Sequence, residues 1–138
     1  MKVKETGKAL LKEAGLRLNT AKGALRGRNY AYAFRQAQEC VELSLKACLR
    51  WVGVEYPKVH DVSKVLRASV DRFPNWFRSR IDEFCRASTE LAERREMSMY
   101  GDEQAGLTPE RLFSREDAAR AVTQASEVFR ACKRLCSR

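Results

Sequence analysis

Hydrophobic residues recur at steps of three and four along most of the chain, which is the spacing of one face of an α-helix. In residues 4–26 this stripe consists of Leu11, Ala14, Leu18, Ala21 and Leu25. In residues 30–52 it consists of Phe34, Ala37, Val41, Leu45, Cys48 and Val52, with no internal Gly or Pro. The pattern predicts two long amphipathic helices, and the short turn between them forces them to lie antiparallel.

The residues of that turn are typical of helix ends. Gly27 suits the left-handed conformation that follows a last helical turn, and Asn29 can cap the second helix. Asp61 can cap a shorter third helix, which Pro74 ends.

Two further helices complete the predicted fold. A fourth helix is expected over residues 75–100, closed by Gly101, and a fifth opens at Ser114, which resembles a capping box with Asp117. No segment alternates with a period of two, so no strand is predicted. The sequence thus predicts an all-α fold, an up-and-down antiparallel four-helix bundle with an additional short helix, as a single domain over residues 1–138.

The composition is that of a globular protein, since 44% of the residues are hydrophobic and 33% are charged. No apolar run approaches the roughly 18 to 20 residues of a membrane span, and the N-terminal MKVKETGK has no apolar signal segment. We therefore expect a cytoplasmic protein that does not bind a membrane.

The cysteines do not follow a metal-binding or disulfide pattern. Their number is odd, no CxxC pair occurs, and there is only one histidine. All five lie at apolar positions of the helical patterns: Cys40, Cys48, Cys85, Cys132 and Cys136. We interpret them as small core residues and predict neither a metal nor a cofactor. A bridge from Cys132 to Cys136, or between subunits, is the alternative in an oxidising or hyperthermophilic cell.

The net charge of +9 is concentrated at the two ends of the chain. Residues 1–30 hold eight Lys or Arg against two Asp or Glu, and residues 111–138 hold seven against three. On the first helix, the basic surface facing away from the leucine stripe includes Lys8, Lys12, Lys22 and Arg26. The first and last helices of an antiparallel bundle are often neighbours, so both ends could form one positive face for phosphates. The alternative is an ordinary solvated surface.

One segment resembles a known family. Residues 31–66 read AYAFRQAQECVELSLKACLRWVGVEYPKVHDVSKVL, which resembles the HEPN domain, whose second helix runs like A…AQQAVEKALKALL…G before a loop ending in HDL..LL. The matching residues are Ala33, Ala37, Gln38, Val41, Glu42, Leu45, Lys46, Ala47, Gly53, His60, Asp61 and Leu66. The resemblance implies a helical bundle related to the helical domain of kanamycin nucleotidyltransferase. It also implies a homodimer that binds nucleotide or RNA and works with a minimal nucleotidyltransferase as a toxin–antitoxin pair.

The ribonuclease motif of many HEPN proteins is absent. That motif is an Arg followed, after four to six residues, by a His, and it needs no metal. His60 is the only histidine and has no Arg at the required distance before it, while Met99 stands where a histidine would follow Arg94. Because Met cannot transfer a proton, the sequence favours binding over cleavage.

A ribonuclease with a non-standard site is the alternative hypothesis. It would use His60, Arg94, Arg95 and Tyr100 as catalytic residues, with the arginines stabilising a phosphodiester transition state and Tyr100 donating a proton. Tyr100 is also a candidate for modification by the partner. The structural interpretation makes His60 a loop residue bonded to a neighbour, and the two arginines a salt-bridged helix end.

A line of polar side chains crosses the second helix. Gln38, Glu42 and Lys46 follow at steps of four, so they share one side of the helix. They form either a surface ion pair contributing roughly 0.3 to 0.5 kcal/mol, or a ligand-binding line in which Lys46 holds a phosphate or nucleobase. A non-catalytic helical scaffold without a ligand is the third hypothesis.

Overall fold

A computed structural model describes residues 2–137. The helices are α1 (Lys2–Arg26), α2 (Tyr30–Trp51), α3 (Ser63–Ala68), α4 (Asn75–Arg78), α5 (Ile81–Glu93), α6 (Arg95–Tyr100), α7 (Pro109–Leu112) and α8 (Arg115–Leu135), with a 3-10 turn at Val70–Arg72. The described part of the chain contains no strand, only an isolated bridge between Asp102 and Leu107. The all-α prediction is therefore confirmed.

The long helices run alternately up and down, as the sequence predicts. α1 and α2 are antiparallel, because Gly7 near the start of α1 lies against Ala47 near the end of α2, while Arg17 bonds to Glu39. α2 also packs along α8, and α1 lies beside α8. α2 is therefore the central helix, and most of its side chains are buried.

Buried aromatic rings and cysteines fill the core. Phe77 stacks on Phe73 with ring centroids 4.5 Å apart and contacts Phe84 at 5.0 Å. All five cysteines are free and buried, which confirms their interpretation as core residues. No helix within residues 2–137 combines the length and the hydropathy that a membrane span needs.

The turn between α1 and α2 differs from the prediction by one residue. The left-handed residue is Arg28, with a φ of 63°, so the prediction for Gly27 is wrong. The Asn29 amide donates to the carbonyl of Ala24 (2.8 Å) and the Arg28 amide to that of Leu25 (3.1 Å), the two hydrogen bonds of a Schellman motif. Asn29 is the N-cap of α2, but its side chain forms no capping hydrogen bond.

The predicted fourth helix, over residues 75–100, is divided into α4, α5 and α6. Before α5 the Arg80 amide donates to the carbonyl of Phe77 (2.9 Å), which tightens the turn. Between α5 and α6 the chain departs from the helix at Arg94, whose guanidinium is held near α8 by Asp117 (3.2 Å). Neither break lies at a Gly or a Pro, so the sequence contains no signal for it.

Two predicted helix ends are confirmed. Gly101 ends α6 with a φ of 72°, and a Cβ at this position would collide with the carbonyl of Leu107. Ser114 opens α8 through a capping box, in which its hydroxyl accepts from the Asp117 amide (3.1 Å) and the Asp117 carboxylate accepts from the Ser114 amide (3.0 Å). The box fixes where α8 begins.

Candidate functional site

Glu42 on α2 connects three other polar side chains. Its Oε1 accepts from Gln38 Nε2 (3.0 Å) and lies 2.7 Å from His60 Nδ1, while its Oε2 accepts from Lys46 Nζ (2.7 Å). The Glu42 and Lys46 side chains are only 14% and 11% exposed, so this ion pair does not lie on the surface. The polar line of α2 is therefore largely buried, and none of its three residues lines the cavity beside His60.

The charge of Glu42 determines which ring nitrogen of His60 carries the proton and which one can contact a ligand. Burial alone raises the pKa of Glu42, but the hydrogen bonds from Lys46, Gln38 and His60 outweigh burial and hold it below its ordinary value. An ionised Glu42 only accepts hydrogen bonds, so the proton of a neutral His60 ring lies on Nδ1. Nε2 of this exposed ring is then free to accept a proton from a ligand.

Asp61 holds the loop that carries His60. Its carboxylate accepts hydrogen bonds from the Ser63 amide (3.0 Å), Ser88 Oγ (2.9 Å) and Thr89 Oγ1 (2.9 Å). Burial alone raises the pKa of Asp61, but these hydrogen bonds hold it below its ordinary value. The N-cap of α3 is Val62, and it has no side-chain capping hydrogen bond, so the prediction that Asp61 caps this helix is wrong. The Asp61 carboxylate instead lies one residue earlier and ties the His60 loop to the start of α3 and to α5.

Arg95 joins the polar line from α6. Its Nη1 donates to Gln38 Oε1 (2.7 Å) and to Glu39 Oε2 (2.9 Å). Gln38 therefore bridges Arg95 to Glu42, and the Glu42 network, as we call it, contains Gln38, Glu39, Glu42, Lys46, His60 and Arg95. Within residues 2–137, Nη2 and Nε of Arg95 have no hydrogen-bond partner.

A cavity of about 340 Å³ opens beside the network. This His60 cavity is lined by His60, Ala92, Arg95, Glu96, Met99 and Tyr100. Tyr100 is 63% exposed, so it stands at the solvent-open edge of the cavity. Three of the four candidate catalytic residues therefore meet in one place.

Arg94 is the candidate that the structure places elsewhere. Its guanidinium donates to the carbonyl of Leu112 (3.0 Å), pairs with Asp117 (3.2 Å) and lies 4.3 Å from the centre of the Phe113 ring. These contacts fasten α7 and the start of α8 to the end of α5. Arg94 stabilises the fold and does not line the His60 cavity.

Two residues of this region were not predicted from the sequence. Glu39 holds Arg95, and Arg17 Nε on α1 donates to Glu39 Oε1 (2.9 Å). Glu39 precedes Glu42 by three residues, a spacing that makes them neighbours on a helix surface, so the sequence contains a signal for its place beside the polar line. Arg17 belongs to no motif, and only the packing of α1 on α2 identifies it.

The basic residues of the two chain ends meet in a second concave region. Lys8, Lys12 and Lys22 of α1 face Arg130 and Lys133 of α8 across a groove of about 620 Å³, while Arg26 lies outside its lining. The predicted adjacency of the first and last helices is thus confirmed. Within residues 2–137 no group of three or more His, Cys, Asp or Glu is placed to hold a metal ion.

The fold and the Glu42 network define a helical-bundle domain whose polar site lies between α2, α6 and the loop before α3. The sequence profile of the HEPN domain matches residues 8–135, so the chain belongs to the HEPN family. The fold is similar to that of ST0689, an archaeal HEPN homologue of known crystal structure. The TM-score is 0.71 at 21% identity, covering 95% of this chain and 98% of that one. A comparison with curated protein sequences found no match.

Proposed function

We propose that this HEPN-domain protein binds a nucleotide or RNA in the His60 cavity. One observation supports binding: three side chains line the cavity with polar groups that no described residue engages. These groups are Nε2 of His60, Nη2 and Nε of Arg95, and the hydroxyl of Tyr100. A guanidinium presents parallel N–H donors that match phosphate oxygens, and an exposed tyrosine ring offers a face on which a base can stack.

The cavity presents polar groups that are held in position before a ligand arrives, and the Glu96 carboxylate also lines it. Glu42 orients the His60 ring, and Gln38 with Glu39 holds one edge of the Arg95 guanidinium. Side chains held in advance lose less conformational entropy when a ligand binds. The volume of about 340 Å³ is within the range of small-ligand pockets and accommodates a phosphate with its ribose.

The test is a binding titration with fluorescent ATP and with a short single-stranded RNA at low salt. Arg95→Gln and His60→Gln should each weaken binding by about tenfold or more, because the first removes a phosphate donor and the second removes the Nε2 acceptor for a ribose hydroxyl or a base N–H. Arg111→Gln, at an exposed arginine outside the cavity, is the matched control. Affinity should also fall as salt rises, because phosphate contacts are screened. Equal binding by all variants would contradict the site, and no binding at low salt would favour a scaffold.

The proposal includes a homodimer and a minimal nucleotidyltransferase as partner, forming a toxin–antitoxin pair. The exposure of Tyr100 beside Arg95 supports this role, because a partner enzyme can reach the hydroxyl. Co-expression with a nucleotidyltransferase encoded next to this chain should add a nucleotidyl group to the peptide containing Tyr100, and Tyr100→Phe should abolish the mass increase.

Light scattering on the purified chain measures whether it is a dimer. Failure to capture the nucleotidyltransferase would contradict the pairing.

A second candidate function, ribonuclease activity, is favoured by the pairing of His60 with Glu42 (2.7 Å). The free Nε2 could accept the proton of a ribose 2′-hydroxyl, whose oxygen would then attack phosphorus and release the 5′-oxygen as a hydroxyl, protonated by Tyr100. Arg95 would stabilise the additional negative charge on the phosphate. Replacing His60 or Arg95 separately should abolish cleavage of single-stranded RNA, and activity unaffected by both changes would rule it out.

A further inference from the structure

The groove between α1 and α8 carries five cations without acidic neighbours. Its lining contains Lys8, Lys12, Lys22, Arg130 and Lys133 and no Asp or Glu. In the part of the chain that the structure describes, none of the five forms an ion pair. Positive charges along both sides of one groove produce a strong local potential, which attracts an anionic partner.

Two acidic residues near the groove are paired with arginines outside it. Glu13 bonds to Arg17 (3.2 Å) and Glu127 bonds to Arg80 (3.2 Å). Glu5, one turn before Lys8 on α1, is exposed and lies outside the groove lining. The positive potential of the groove remains available for a molecule from outside the chain.

The groove is a site distinct from the His60 cavity. Arg17 bonds to Glu39, which holds Arg95 at the cavity. At 100° per residue, the groove residues Lys8, Lys12 and Lys22 lie about 140° to 180° around α1 from Arg17. The two sites therefore lie on opposite sides of α1, and a ligand can occupy one while the other is empty.

The groove lining also contains apolar side chains. Leu11, Leu16, Leu18 and Phe129 line it beside the cations, and Leu16 is 50% exposed. Gly15 leaves space for the Phe129 ring, since a Cβ on Gly15 would lie 3.2 Å from that ring. Hydrophobic side chains in the groove contribute binding energy only to a partner that has hydrophobic side chains of its own.

We propose that this groove binds an acidic amphipathic helix from a partner protein. The apolar face of such a helix would cover Leu16 and Phe129, and its Glu or Asp side chains would meet the lysine and arginine rows. From Lys8 to Lys22 the groove follows α1 for about 21 Å, which matches about four helical turns. A second copy of this chain does not fit groove to groove, because its own five cations would be placed against these five. A nucleic acid strand would satisfy the cations but would leave the leucines without a matching surface.

The experiment compares two probes on the full chain by fluorescence anisotropy. One probe is a capped peptide of about 18 residues with Leu at helical spacing and Glu elsewhere, alongside a scrambled peptide of the same composition. The other is an RNA of about 18 nucleotides. We expect the amphipathic peptide to bind more tightly than the scrambled one. Its affinity should fall as the salt concentration rises.

Three variants distinguish the effect of the groove charges, the effect of the apolar contact and the effect of the protein's net charge. Lys12→Glu with Lys133→Glu should weaken peptide binding by about tenfold or more. Leu16→Ser, at a residue exposed enough to leave the fold intact, should weaken it by about threefold to fivefold. The matched control is Lys64→Glu with Arg111→Glu, which makes the same change in net charge at exposed positions outside the groove and should leave the affinity unchanged.

Three results would overturn the proposal: no peptide binding, equal binding of the scrambled peptide, or RNA binding that depends on Lys12 and Lys133 but not on Leu16. The last result would identify the groove as a nucleic-acid site. His60→Gln and Arg95→Gln should not change peptide affinity, so failure at the groove and failure at the His60 cavity are distinguishable.

Discussion

The Nδ1 atom of His60 lies 2.7 Å from Oε1 of Glu42, although the loop after α2 separates the two residues in the chain. The contact makes a buried ion pair on α2 part of a site that opens to solvent. Glu42 both neutralises Lys46 and orients the His60 ring, so stability and ligand binding depend on the same carboxylate.

Replacing Glu42 should therefore affect both properties. Glu42→Gln leaves the buried Lys46 ammonium without its carboxylate, so the free energy of unfolding should fall by about 2 kcal/mol, measured in urea. Lys46→Met in the Glu42→Gln background should restore part of that loss, because it removes the unpaired charge. Affinity for the fluorescent nucleotide should fall in both variants. Unchanged affinity would show that His60 does not need Glu42 for its orientation.

Acid should destabilise the fold through its hydrogen-bonded carboxylates. The pKa values of Glu42 and Asp61 lie below their ordinary values of 4.5 and 3.8. The ionised groups therefore stabilise the fold above those values, and this contribution is lost as the pH falls through the lower, folded-state pKa. The free energy of unfolding, measured in urea between about pH 7 and pH 3, should show this loss. In the double variant Glu42→Gln with Asp61→Asn, this free energy should depend less on pH. The same slope in the double variant would contradict the assignment.

Arg94→Gln should reduce stability without affecting the His60 cavity. It removes the ion pair to Asp117, the hydrogen bond to Leu112 and the stacking on Phe113. The free energy of unfolding should fall by about 1 to 2 kcal/mol, while nucleotide affinity stays the same. Unchanged stability together with lost binding would assign Arg94 to the site.

Arg28→Gly should stabilise the protein. Arg28 is left-handed, a conformation that costs a non-glycine residue about 1 kcal/mol and that glycine adopts freely. The melting temperature should rise by about 3 to 6 °C in a thermal scan. Arg26→Gly, inside the last turn of α1, is the opposite control and should destabilise by about 1 kcal/mol. A lower melting temperature for Arg28→Gly would contradict the Schellman geometry.

The cysteines should resist modification in the folded protein. All five are buried, and burial raises the pKa of the Cys40 thiol to about 12. Little thiolate of Cys40 forms at neutral pH, and burial denies the reagent access to all five residues, including Cys136, whose thiol pKa the hydrogen bond with Cys48 lowers. Reaction with a thiol-specific dye should be slow in buffer and complete for all five residues in concentrated urea. Fast labelling of Cys40 without urea would contradict its place in the core.

Much of the fold could be predicted from the sequence because it depends on local spacing. The apolar steps of three and four place α1, α2 and α8, and the capping box at Ser114 and Asp117 fixes the start of α8. The pattern over residues 31–66 indicated the HEPN family, which the match over residues 8–135 confirms. The positions of these helices and their caps depend on residues that are close in the sequence, so the sequence alone is enough to predict them.

The tertiary structure decided which polar residues meet. Arg94 and Arg95 are adjacent in the chain, yet one holds α7 and α8 while the other reaches Gln38 and Glu39. The break at Arg94 separates the directions of the two side chains, and Arg94 reaches Asp117, far along the chain. The basic residues of α1 and α8 likewise form one groove only because the two helices pack side by side. Local spacing sets the helices, but long-range packing sets the partners of each side chain and hence the sites.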